Sequence, residues 1–208
     1  MPIPTKGEGR EILSPYHPLI WRIVHEAWAE WETIQRFRVE QRMSAPLYSR
    51  SIANYVFDAV ARRAIPAFAA EDRVSVKIEA QTFKIFVAGR LAARFKQGGE
   101  DKLGISGSSP TQAALAFMEA DGVLPNMPPE TAKVEIIWLL NDLKTKIEAV
   151  LVVARDGDKL VWDYPIEDPR DSAQATPLPL GPTIPPMPDA GDFVKPKADP
   201  NAQTEKEE

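Results

Sequence analysis

From Leu19 to about Arg42 the apolar residues Ile20, Ile23, Val24, Ala27, Trp31 and Ile34 recur at helical spacing. Glu26, Glu30, Glu32, Arg36, Glu40 and Arg42 fill much of the rest, and the pattern predicts a long amphipathic helix beginning near Pro18. Trp21 and Trp28 form a second ridge beside the main stripe, so the helix is expected to pack on more than one neighbour. Met43-Ser44-Ala45-Pro46 breaks the pattern, with Ser44 suited to capping and Pro46 to a first turn. A second helix follows from about Leu47 to Ile65, with Ile52, Tyr55, Val56, Ala59 and Val60 on its apolar face and Pro66 as its stop. So short a connection predicts that the two helices pack on each other.

The pattern then changes period. Between Arg73 and Lys96, Val74, Val76, Ile78 and Ala80 alternate with Arg73, Ser75, Lys77 and Glu79. After Gln81 and Thr82 the alternation resumes, with Phe83, Ile85, Val87, Leu91, Ala93 and Phe95 on one side and Lys84, Arg90, Arg94 and Lys96 on the other. A period of two is the mark of a half-buried strand, and this stretch predicts a β-hairpin with one dry face and one basic face. A Gly- and Ser-rich loop follows, and then Ser109-Pro110-Thr111-Gln112 opens a short capped helix carrying Leu115 and Met118, closed by Gly122. Lys133–Leu140, Ile147–Arg155 and Leu160–Tyr164 are rich in Val, Ile, Leu and Trp and are joined by short turns, which predicts an antiparallel meander. Its first two strands lack clean alternation, so both sheet faces are expected to be covered there.

Both ends lose this rhythm. Residues 1–15 carry Pro2, Pro4, Gly7 and Gly9 and read as a flexible N-terminus. Residues 166–208 read as a disordered, acidic, proline-rich tail with polyproline character around Pro177 to Pro188, too polar to offset its ordering entropy. The resulting expectation is an α+β protein with one domain over residues 16–165. In it an N-terminal helical pair packs on a mostly antiparallel sheet made of a hairpin and a three-stranded meander, with a short helix between. The net charge of -5 sits mostly in the tail, since residues 165–208 hold nine Asp/Glu and four Lys/Arg of the 30 and 25 in the chain. A near-neutral domain does not by itself advertise nucleic acid.

Composition removes several chemistries. Without cysteine there is no disulfide scaffold and no thiolate nucleophile, and the two histidines, His17 and His25, do not cluster. No run of apolar residues has signal-peptide or membrane-spanning length, so a cytoplasmic chain without membrane contact, cofactor or metal is expected.

Five candidate sites remain. Lys84, Arg90, Arg94 and Lys96, with Arg73 and Lys77 alongside, would place cations about 7 Å apart along a strand, near phosphate spacing. Phe86 is the aromatic in phase with them, and a solvated strand face would also be rich in Lys and Arg. An anion could sit where Arg94, Lys96 and Lys102 approach Ser106, Ser108, Ser109 and Thr111, although most helix caps bind nothing. Asp142-Leu143-Lys144, with Glu135 or Glu148, has the acid-x-Lys form of some metal-assisted nucleases, but a turn explains the same residues. Trp21 and Trp28, if uncovered, would make a protein-binding ridge, and the proline-rich tail could dock in an aromatic groove. The expectation is a non-catalytic binding or accessory protein acting through protein–protein contacts, with the basic strand face as a nucleic-acid surface. Its rival is a metal-dependent nuclease or phosphoester hydrolase centred on Asp142 and Lys144 or on the Ser-rich loop.

Overall fold

Residues 3–46, 48–79, 82–105, 112–118 and 131–172 are described by the structure, a computed structural model. The first helix, α1 (Lys6–Leu13), lies where a flexible lead-in was expected. Its cause is a capping box: Thr5 Oγ1 accepts from the Glu8 amide at 3.2 Å, while Glu8 Oε2 accepts from the Thr5 amide at 2.9 Å. Leu13 is wholly buried, and Trp162 lies across Gly9 with its Nε1 donating to the Pro4 carbonyl at 2.7 Å. A 3₁₀ turn at Ser14–Tyr16 leads directly into α2 (His17–Glu40).

The predicted stripe of α2 is buried at Ile20, Ile23, Val24, Ala27 and Trp31, and Trp28 is buried with it. In α3 (Ser49–Ala69) the buried face is Val56, Ala59, Val60, Ala64 and Phe68. This helix runs through Pro66 instead of ending before it. Ala64 and Phe68 are both fully buried, and their burial on either side offsets the backbone bond that the proline removes. Ser44 and Pro46 belong to the connector, and Leu47 lies outside the described residues. The helices are tied by Glu30, which accepts from the Tyr55 hydroxyl, from Arg62 Nη2 at 2.7 Å and from Arg63 Nη2 at 2.7 Å.

The expected hairpin contains three strands: β1 (Val74–Glu79), β2 (Thr82–Val87) and β3 (Leu91–Gln97). The extra turn is the three-residue loop 88–90, in which Ala88 and Gly89 have left-handed φ angles of 52° and 65°, a conformation common in short hairpin turns. Val87 and Leu91 are register partners, so alternation passes through the turn without changing face. The meander forms as expected from β4 (Ala132–Leu140), β5 (Ile147–Asp156) and β6 (Lys159–Pro165). All six strands share one sheet in sequence order, antiparallel throughout except where β3 runs parallel to β4.

The fold is thus α+β, with α2 and α3 on one face of the sheet. Phe83, Ile85, Leu91, Phe95, Ile136, Trp138 and Val152 meet the helices there in one core. On the other face lie the loop 98–105 and α4 (Gln112–Met118). Ile166, within the expected tail, is only 4% exposed and joins the core, and a single turn, α5 (Pro169–Ser172), follows it. Residues 173–208, and with them the proline-rich motif, lie outside the described residues.

Gly7 and Gly9 test how α1 is held. A Cβ at Gly7 meets nothing within 4 Å, whereas one at Gly9 falls 2.8 Å from the Trp162 ring. Gly7→Ala is expected to stabilise by about 0.5–1 kcal/mol through helix propensity. Gly9→Ala should lose that gain or reverse it, and urea unfolding of both variants measures the difference.

Candidate functional site

The sheet face opposite the helical pair is built from charge. Lys77, Lys84, Arg94, Glu135, Val153 and Asp163 are successive register partners across all six strands. The predicted basic side chains do share this face at Lys84, Arg94 and Lys96, but they are not an open surface. Lys84 and Arg94 are each 4% exposed, and Glu135 is fully buried between them and Arg155.

Glu135 organises the group. One of its oxygens accepts from Arg94 Nε at 2.8 Å and also from Arg94 Nη2. The other accepts the Gly104 amide at 2.9 Å and lies 3.5 Å from Arg155 Nη1. Arg155 Nη1 is buried without a hydrogen-bond partner, while its Nε donates to the Gly157 carbonyl at 2.7 Å. Because Gly104 sits over Lys96 and Glu135, a Cβ there would fall within 2.8 Å of both, so only glycine lets the loop come this close. Lys84 pairs with Glu79 at 2.7 Å. Burial pushes the Arg94 and Lys96 pKa values down, and the Arg94 charge adds to the effect at Lys96.

Other predicted residues are dispersed. Arg90 is exposed in the β2–β3 turn, where its charge acts on Glu8 of α1. Lys102 pairs with Asp163 at 3.1 Å, and Ser106, Ser108, Ser109 and Thr111 lie outside the described residues. Asp142 and Lys144 occupy an exposed turn organised by Asn141, whose Oδ1 accepts the Thr145 and Lys146 amides at 2.8 and 3.0 Å. Glu135 is committed to arginine and Glu148 is exposed on β5; no group of three His, Asp or Glu side chains suited to a metal occurs among the described residues. The tryptophan ridge is also divided. Trp28 is 5% exposed and donates to Glu32 at 2.9 Å, whereas half-buried Trp21 stacks on His25 at 3.8 Å and lies beneath Arg170.

What sequence periodicity passed over is the far end of the helical pair. Phe37, Val39, Met43 and Tyr48 are 55–76% exposed there, and Arg36, Val39, Glu40 and Met43 line a groove of about 410 Å³. Phe37, Val39 and Met43 fall outside the buried α2 stripe, and that mismatch was a usable signal. Set against protein-family models, curated proteins and solved structures, the chain matches none. No helix among the described residues is long and apolar enough to cross a membrane.

Removing Glu135 strands two buried arginines. Glu135→Leu is expected to cost about 3–5 kcal/mol, and the triple variant Arg94→Met/Glu135→Leu/Arg155→Met to recover most of it; urea unfolding of both gives the coupling. His17 supplies a pH dependence. Its Nε2 lies 3.3 Å from the Tyr164 hydroxyl, and burial, aided by the Arg10 charge, lowers its pKa to about 4. The unfolded chain therefore binds the extra proton first, so stability should fall as pH drops from about 6.5 toward 4. In His17→Gln this portion of the decline should be missing from a pH series of thermal melts.

Proposed function

We propose that this chain is a non-catalytic binding protein that works through protein–protein contacts made by the tip of the α2–α3 pair. The observation that carries this reading is the group Phe37, Val39, Met43 and Tyr48, four large apolar side chains left more than half exposed at the end of the α2–α3 pair that projects past its buried residues Trp31 and Val56. Apolar groups gathered this way on a small domain are costly in water and are repaid when a partner covers them. The arginines on the sheet's other face are spent on internal pairs, which directs the contact to the helical end. No observation favours the hydrolase reading.

The test uses the full chain as bait in lysate of its source cells, against the variant Phe37→Ser/Val39→Ser/Met43→Ser/Tyr48→Ser, with quantitative mass spectrometry. Partners of the wild type should fall by roughly tenfold or more in the variant, and should persist with a chain ending at Ser172. Undiminished recovery by a folded tip variant would overturn the proposal.

A further inference from the structure

The tip of the helical pair carries charge as well as apolar surface. Arg36, Arg38, Arg42 and Arg50 stand there against the single carboxylate of Glu40, although the whole chain is acidic, with 25 Lys/Arg to 30 Asp/Glu. Arg38 is used internally: its Nη2 donates to the Ser44 carbonyl and braces the connector. Arg36, Arg42 and Arg50 are exposed and make no ion pair among the described residues. Arg50 lies over the exposed Tyr48 ring at 4.7 Å. Farther along α3 the pattern is the opposite, since Arg62 and Arg63 each reach Glu30 at 2.7 Å.

Cations left open in this way can meet an anion without first breaking an internal pair. They interleave with Phe37, Val39, Met43 and Tyr48, so a complementary partner has to present carboxylates and large apolar side chains together. The groove at this end, lined by Arg36, Val39, Glu40 and Met43, is concave, which suits a protruding peptide segment better than the plane of a bilayer. Glu40 in its wall would repel the phosphate of a lipid or a nucleic acid, yet can accept from a peptide amide. Resting on the reading of this tip as a protein contact, we infer that its partner is an acidic segment of another protein, with Asp or Glu flanking a large apolar residue. The carboxylates pair with Arg36, Arg42 and Arg50, and the apolar residue packs against Val39 and Met43.

The test is a selection of displayed random peptides, about twelve residues long, on the immobilised full chain. Enriched peptides should carry an excess of Asp and Glu over the unselected library. Their affinity, read by fluorescence anisotropy, should fall roughly tenfold in Arg36→Gln/Arg42→Gln/Arg50→Gln, and also as salt rises from about 0.05 to about 0.5 M. The variant Phe37→Ser/Val39→Ser/Met43→Ser/Tyr48→Ser separates this inference from the reading beneath it. Peptides that need those four side chains but carry no acidic excess leave the tip a contact surface and overturn the inference. Peptides that bind this variant, folded by circular dichroism, as well as wild type overturn both, and a selection that enriches nothing over the bare support overturns the inference. Should the arginine variant not fold, the salt series decides: a fall supports the acidic partner, and unchanged affinity rejects it. Binding to vesicles of anionic lipid, or self-association in sedimentation, that is lost in the arginine variant while no acidic peptide is enriched assigns the tip to a membrane or a second copy and overturns the inference.

Discussion

One carboxylate fixes the polar half of this protein. Glu135 lies fully buried on β4, and its two oxygens hold Arg94 from β3, Arg155 from β5 and the Gly104 amide from the overlying loop. A lone carboxylate in that position would be untenable; here it accepts hydrogen bonds from Arg94 and the Gly104 amide and is ion-paired to Arg155. The arrangement sets the spacing of three strands and the height of loop 98–105 above them, and through Arg94 it also positions the ring of Phe117.

The two faces of the sheet therefore obey different physics. Against α2 and α3 the contacts are apolar, continuous and tolerant of direction. On the opposite face, selection is by hydrogen-bond geometry and charge, with small apolar clusters at Phe86, Ala92 and Phe117 and at Ile137, Leu151 and Val153. A polar network of this kind specifies one arrangement of its cover more than it adds stability. The helical pair is fastened instead by Glu30 to Tyr55, Arg62 and Arg63, with Phe37, Val39, Met43 and Tyr48 exposed between those ties.

Much of the fold was legible in periodicity. The α2 stripe, the alternation of β2 and β3, and the three meander strands all follow from side-chain spacing, because one face of each had to be buried. What periodicity could not convey was which polar face was also covered. Lys84 and Arg94 alternate as a solvated strand would, yet Arg94 is buried against Glu135, about forty residues away in sequence, and Lys84 against Glu79. Ala88 and Gly89 concealed a turn because three loop residues preserve the phase. Thr5 and Glu8 spelled a capping box that a run of Gly and Pro obscured, and Pro66 was outweighed by Ala64 and Phe68. Trp28 read as a ridge, yet sits in the core because the α2 contact face is wider than its main stripe.

The parallel seam between β3 and β4 divides the sheet into two three-stranded halves, each closed by turns of a few residues. Every residue from Gly98 to Thr131 has to be looped out before the seam can zip, so the entropic cost of chain closure is concentrated at this one join. Arg94 and Glu135 are direct partners across it. A buried ion pair thus spans the contact that closes the longest loop between neighbouring strands.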